Sequence, residues 1–259
     1  MIKELKNTFN YRYVVYNYVY ASLKMRYRRS FLGFLWSVVM PLMQNLIIGM
    51  VFYYLMRFDM PNYIVYLFSG TVLFNIMSNV ILQAPGIMLN NEHFIKKIYM
   101  PKLVYVFQVV CLEVINFMFI VTSLLILGML FDKLEFSIVH LLVPIPIVLA
   151  LFALVGISLI VSIATLYFRD MLQIVPVVMQ AAFFLTPVLY PVAIVPEKLQ
   201  HIIRFNPFFY YVEIFRSIIL HNMIPRLDYL LICSILSIIL FVTGMVILKM
   251  FNNKIVFRL

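Results

Sequence analysis

Six apolar stretches, at roughly residues 31–56, 63–86, 103–131, 138–166, 172–190 and 228–248, take up most of this 259-residue chain. Each is long enough to cross the bilayer's hydrocarbon core of about 30 Å, which needs about 20 helical residues. Apolar residues make up 65% of the sequence and charged ones 12%, and the mean hydropathy is +1.04. One soluble core cannot hide that excess, so lipid must solvate much of the surface, and no segment is polar enough to form a separate soluble domain. The expected fold is an all-α polytopic membrane protein with six spans in a single transmembrane domain, residues 1–259.

The net charge of +10 does not point to nucleic acid, because its placement is one-sided. Six crossings put both termini on one side. That side collects fourteen of the twenty Lys and Arg, among them Arg12, Arg26, Arg28, Arg29, Lys96, Lys97, Arg169 and Lys254. The other side carries Arg57, Lys133, Lys198, Arg204, Arg216 and Arg226 against six acids. By the positive-inside rule both termini are expected in the cytoplasm, with anionic phospholipid as the partner of the basic excess. The first long apolar run starts near residue 31 and no small-x-small site follows it, so no cleavable signal peptide is expected. Cys111 and Cys233 sit inside apolar spans and read as small hydrophobes, with neither disulfide nor metal spacing.

Residues 9–30 interleave rings and bases, which suits an amphipathic interfacial helix or a plain positive anchor for the first span. After span two, residues 88–101 form a short helix candidate bounded by Pro101. Asn90 or Asn91 is its expected N-cap, Glu92 suits its start, and Lys96 and Lys97 suit its end. Phe94, Ile95 and Ile98 would form an apolar patch, fit either for docking a protein or for lying on lipid. Pro187, Pro191 and Pro196 cannot continue span five as one helix. Broken backbone at membrane depth must face protein or a water-filled cavity. Residues 191–220 are expected as short re-entrant or interfacial helices on the outer side, with Glu213 and Arg216 paired at i,i+3.

The chemistry absent from the sequence narrows the function. None of the seven glycines precedes a lysine, which excludes a G-x-x-x-x-G-K-[ST] phosphate loop. No H-E-x-x-H or G-x-S-x-G pattern occurs among the four histidines and the serines. Glu113 alone lies deep within a span. It is either a proton-coupling carboxylate or a group hydrogen-bonded to a neighbouring helix, for instance through Asn116, Thr122 or Ser123. Phe34, Trp36, Tyr53, Tyr54, Phe183, Phe184 and Tyr190 flank spans one and five, as an interfacial belt or as the lining of a passage for sugar rings.

The run Arg26-Tyr-Arg-Arg-Ser-Phe-Leu-Gly-Phe-Leu-Trp-Ser-Val-Val-Met-Pro41 resembles the opening R-Y-x-x-S-x-L-G-x-x-W-x-x-x-x-P signature of ABC type-2 export permeases for O-antigen, capsule and teichoic acid. Phe94-Ile-Lys-Lys-Ile-Tyr-Met-Pro-Lys102 resembles the coupling segment of that family. Tyr167-Phe-Arg-Asp170, Phe184-Leu-Thr-Pro-Val-Leu-Tyr190 and Asn206-Pro-Phe resemble its inner loop, broken fifth span and outer helices. The resemblance covers nearly the whole chain. It implies a homodimer in a bacterial cytoplasmic membrane, each copy paired with a separate P-loop ATPase that binds ATP and Mg, so this chain itself would carry no cofactor or metal. It implies export of an undecaprenyl-diphosphate-linked glycan, with coupling through Asn91, Glu92, Phe94, Ile95, Lys96, Lys97 and Ile98. Arg26, Arg28 and Arg29 either attract the pyrophosphate or anchor the arm on lipid. Other readings are export of another lipid or a drug by the same architecture, an ATP-independent carrier coupled through Glu113, and a membrane-bound transferase.

Overall fold

The computed structural model describes residues 2–28, 30–56, 60–130 and 137–259, and every regular element among them is helical. The expectations for Arg29, Arg57, Asp59 and the turn from Asp132 to Glu135 lie outside the described residues. An N-terminal arm of α1 (Ile2–Asn10) and α2 (Arg12–Tyr27) leads into α3 (Trp36–Met56). Then follow α4 (Met60–Gln83), the short α5 (Gly86–Leu89) and α6 (Glu92–Lys97), α7 (Leu103–Leu130) and α8 (Pro144–Tyr167). The chain closes with α9 (Met171–Leu185), α10 (Glu197–Phe205), α11 (Pro207–Ile219) and α12 (Leu227–Arg258).

Among the described residues, five helical stretches are long and apolar enough to cross a membrane: Gly33–Tyr54, Tyr63–Gln83, Leu103–Met129, Ile138–Tyr167 and Leu227–Arg258. The expected fifth span, 172–190, is helical only as far as Leu185, where residues 186–190 turn irregular. Its 15 residues rise about 22 Å, short of the hydrocarbon core. The last helix passes the expected end at 248 and carries the basic tail as helix to Arg258.

The arm is two helices rather than the one expected over 9–30, interrupted at Tyr11 (φ −94°, ψ 15°). It packs along α7. Leu5, Val15 and Val19 face Phe107, Cys111 and Ile115 across an apolar groove. Tyr11 Oη donates to the Tyr99 carbonyl at 3.3 Å, and Arg26 Nη1 donates to Asn116 Oδ1 at 2.7 Å. From Tyr11 to Arg26 the arm rises about 22 Å, close to the rise of about 20 Å from Leu103 to Asn116, so α2 runs beside the first half of α7.

Gly33 then redirects the chain. Its φ of +52° lies in the left-handed region that glycine tolerates, and its N–H donates to Ser30 Oγ at 3.1 Å. The Ser and Gly of the basic-aromatic run thus build the turn into the first span. Pro41 inside α3 lacks an N–H, and its own carbonyl accepts from Asn45 Nδ2 at 2.8 Å. Asn45 Oδ1 accepts from Thr71 Oγ1 at 3.1 Å, tying α3 to α4.

Helix α4 is the hub. Of its most apolar stretch 78% is buried, against 11% for α3, which leaves one face of α3 without a cover from this protomer. Helices α8 and α12 form the most extensive helix pair and run parallel. Ser237 Oγ donates to the Leu149 carbonyl at 2.7 Å, and further along the Arg258 guanidinium lies over the Tyr167 ring at 5.1 Å. Gly156 and Gly244 meet between these points. A Cβ on Gly156 would sit 2.2 Å from the Leu240 carbonyl oxygen, and one on Gly244 would sit 2.6 Å from the Gly156 oxygen. Small residues at such a crossing let backbones approach, and dispersion then holds the pair. Gly156→Val should therefore push α8 and α12 apart and lower stability by about 1–3 kcal/mol, seen as a lower midpoint of thermal unfolding in detergent. Gly86→Ala, whose nearest neighbour is the flexible Asn90 amide, should cost far less.

Candidate functional site at the arm end of the bundle

The C-terminal ends of α4, α8 and α12 and the start of α7 share one end of the bundle with the arm. The small helices α5 and α6 lie there. Within α6, Glu92 and Lys96 pair at 2.5 Å. The hydrogen bond and charge of Lys96 hold the Glu92 carboxyl below its usual range. A depressed carboxyl contributes above its unfolded pKa and fades as pH falls through the lowered value, so the pair is intact at neutral pH. Asn91 occupies the N-cap position but does not cap; its Nδ2 donates to the Ile87 carbonyl at 2.8 Å.

The expected patch of Phe94, Ile95 and Ile98 divides. Ile95 is buried in the core, whereas Phe94 and Ile98 stay more than half exposed and Tyr99 is 90% exposed. Packing of α6 on the core turns Ile95 inward, while Ile98 has already left the helix in extended backbone at the C-cap (φ −123°, ψ 125°). Lys96 and Lys97 flank the exposed rings and are themselves exposed. Lys102 is nearly enclosed. Burial lowers its pKa, and the charge of Glu4 on the arm partly offsets that.

A polar cavity of about 480 Å³ opens between the arm, α3, α4 and α7. Arg26 lies exposed at its rim, with Trp36 and Met40 of α3 on one wall. Glu113, only 4% exposed, lies opposite, with Asn79 of α4 and Asn116 of α7. The expected bonding of Glu113 to a neighbouring helix is present, but not through Asn116, Thr122 or Ser123. Instead its two carboxylate oxygens accept from Asn79 Nδ2 at 3.3 Å and Gln83 Nε2 at 2.8 Å. Thr122 and Ser123 bond backward along their own helix, at 2.9 and 3.1 Å, and Ser123 also reaches the Val38 carbonyl. Asn116 is taken by Arg26. An amphipathic face explains this: Asn79 and Gln83 are i,i+4 on α4, one turn apart and facing α7. Arg28 is exposed on the turn after α2, and Arg29 lies outside the described residues.

The aromatic candidates form two groups. Phe34 packs on Phe119 at 5.3 Å and, with Trp36, belongs to the arm end. Tyr53 and Tyr54 meet edge to face at 5.2 Å, about 25 Å further along α3. Phe183 packs on Phe74 and Phe184, while Phe184 and Tyr190 share an apolar cavity of about 400 Å³ with Phe52. One protomer does not bring the two groups together.

Around the irregular segment 186–190 lie residues the sequence reading had not grouped. Tyr63 Oη donates to the Leu189 carbonyl at 2.7 Å, and Tyr66 Oη to the Tyr190 carbonyl at 3.1 Å. Arg216, 1% exposed, donates to the Pro187 carbonyl at 3.2 Å, pairs with Glu213 at 2.7 Å and stacks 3.8 Å from the Tyr66 ring centroid. The expected Glu213–Arg216 pair is present. However, α11 is a packed core element rather than an interfacial one, because its Phe209, Val212, Phe215 and Ile218 fill the space beside α4 and α12. Arg216→Met would strip a carbonyl partner and leave Glu213 without its cation. A loss of about 2–3 kcal/mol is expected, together with faster thiol labelling of a Val188→Cys reporter than in the otherwise unchanged chain.

Taken together, the fold and these sites define a multi-pass helical membrane protein with a cation-rimmed cavity and an exposed basic-aromatic patch at one end. Residues 14–220 match the family described as ABC-2 type transporter, and the chain belongs to that family. It is 32% identical over 235 residues to the O-antigen export system permease protein RfbA of Klebsiella pneumoniae, covering 89% of this chain and 88% of that one. It is 26% identical over 243 residues to the protein of that name from Myxococcus xanthus, covering 93% of both. Against the polysialic acid transport protein KpsM of Escherichia coli it is 22% identical over 225 residues, 83% of this chain and 86% of that protein.

Proposed function

We propose that this chain is the transmembrane subunit of an ATP-driven exporter of undecaprenyl-diphosphate-linked polysaccharide, of O-antigen, capsule or teichoic acid type. The observation that carries the reading is the near full-length match to two O-antigen export permeases, with a polysialic acid transport protein behind them. The arm end faces the cytoplasm of a bacterial inner membrane, anionic phospholipid binds its bases, and the glycan leaves on the other side. Six crossings follow if α9 and residues 186–190 return the chain across the membrane between the parallel helices α8 and α12.

A separate P-loop ATPase, binding ATP and Mg, docks on Phe94, Ile98 and Tyr99, with Lys96 and Lys97 as charged rim. Closure of the ATPase pair would press on α5 and α6, which sit directly between α4 and α7. Two copies of the chain join through the face of α3 left bare here, where Met40, Met43, Ile47, Met50 and Tyr54 are exposed. In that dimer the aromatic groups of both copies would flank the passage. Arg26 and Arg28, with Arg29, attract the lipid diphosphate as fixed cations.

Purification from the native membrane should bring down a P-loop ATPase at equal stoichiometry. Phe94→Ser with Ile98→Ser should weaken its retention at least about tenfold, since truncated aromatic anchors commonly cost more than 1 kcal/mol each. The unfolding temperature of the permease should barely change, because both side chains face solvent. Repeated preparations without an ATPase would sink the reading. Arg26→Gln combined with Arg28→Gln should reduce glycan export without reducing membrane insertion; equal loss of both would leave the arginines as an anchor only.

A further inference from the structure

We propose that the cavity between the arm, α3, α4 and α7 is a sugar site, holding the first sugar next to the lipid diphosphate while the phosphates stay at Arg26. The proposal rests on the export reading and adds what part of the cargo this protomer reads. Its basis is how charge and hydrogen-bonding capacity are laid out within about 480 Å³, a size typical of small-molecule sites.

Among the described lining residues, the one cation, Arg26, is at the rim and the one carboxylate, Glu113, is buried. Arg26 is exposed, whereas Glu113 is 4% exposed and lies one helical turn from Asn116, the residue that holds Arg26. A diphosphate pushed fully into the cavity would set its oxygens against the Glu113 oxygens, which already serve as acceptors for Asn79 and Gln83, so the anion belongs at the rim. The deeper part suits a neutral group rich in hydroxyls.

Its walls match such a group. A carboxylate offers about four acceptor positions, and Asn79 and Gln83 occupy one each on its two oxygens. Among the described residues, Asn116 Nδ2 and Asn79 Oδ1 have no protein partner. Free donors and free acceptors therefore sit side by side, as sugar hydroxyls require. Across from them Trp36 presents a ring that is 44% exposed, with Met40 beside it. An aromatic face packs against the C–H face of a pyranose while the edge hydroxyls reach the polar wall. Polar side chains within apolar helices are costly to leave unmatched, and those of this cavity gain a partner when a sugar enters.

Trp36 is the only tryptophan of the chain, so the cavity carries its own reporter. The full chain in nanodiscs would be titrated with farnesyl diphosphate and with farnesyl diphosphate bearing one N-acetylglucosamine, following Trp36 emission. The glycosylated probe should bind at least about tenfold more tightly and shift the emission to shorter wavelength. Glu113→Gln should remove most of that preference, while affinity for plain farnesyl diphosphate stays equal because the phosphates remain at the Arg26 rim. Should that variant not fold, photocross-linking the wild type with a diazirine on the sugar should label the peptide containing Trp36 and Met40. Equal affinities for the two probes, an unmoved Trp36 emission or labelling elsewhere would overturn the sugar site. Each of those results leaves the export reading standing, because that reading falls on the missing ATPase.

Discussion

At membrane depth a broken helix survives only where its exposed carbonyls are buried against protein or face a water-filled cavity. The end of this molecule furthest from the arm is organised around that requirement. Where α9 stops at Leu185, Tyr63 and Tyr66 of α4 and Arg216 of α11 donate to the carbonyls of Leu189, Tyr190 and Pro187. Asn206 Nδ2 donates to Thr186 Oγ1 at 2.8 Å, and Asn206 Oδ1 caps α11 by accepting from the Phe208 N–H. Because these donors come from separate helices, α4, α9 and α11 must keep their mutual placement for any of the bonds to persist. Gly70 makes room for the guanidinium: a Cβ there would lie 2.5 Å from Arg216 Nη2.

The arm end follows a different logic. Its polar groups are arranged around an opening rather than around a break. Arg26, held by Asn116, keeps a cation beside the start of α3, and the turn at Ser30 and Gly33 sets where that helix begins. Glu113 with Asn79 and Gln83 joins α4 to α7 just below, so the cavity wall is also a bundle contact. The paired helices α5 and α6 hang between the same two long helices, anchored by Ile87, Met88 and Ile95 in the core. The exposed Phe94, Ile98 and Tyr99 thus sit on the connection between α4 and α7, the two helices that wall the cavity.

Much of this was legible in the order of residues. Hydropathy located the long helices, since 20 apolar residues have no other stable form in lipid. The prolines at 187, 191 and 196 marked the break because each lacks a donor. The i,i+3 spacing of Glu213 and Arg216 announced their pair. The family signature was readable at Arg26, Gly33, Trp36 and Pro41, and the turn at Gly33 supplies a physical reason for two of its positions. What spacing could not show was direction across helices. Phe94, Ile95 and Ile98 are all apolar, yet only the packing of α6 on the core decided that Ile95 turns inward. Glu113 does bond to a neighbouring helix as expected, but spacing could not show that Asn79 and Gln83 of α4 are its partners.

Length, apolar content and one-sided charge thus determined by themselves that the chain is a helical membrane protein, because those properties sum over residues and need no partner. Tertiary structure alone decided that Arg216 is buried and that α8 and α12 touch at Gly156 and Gly244. It alone decided that Arg26, Trp36 and Glu113 surround one cavity. Each of these depends on groups far apart in sequence meeting within a few ångströms, and no local pattern encodes such a meeting.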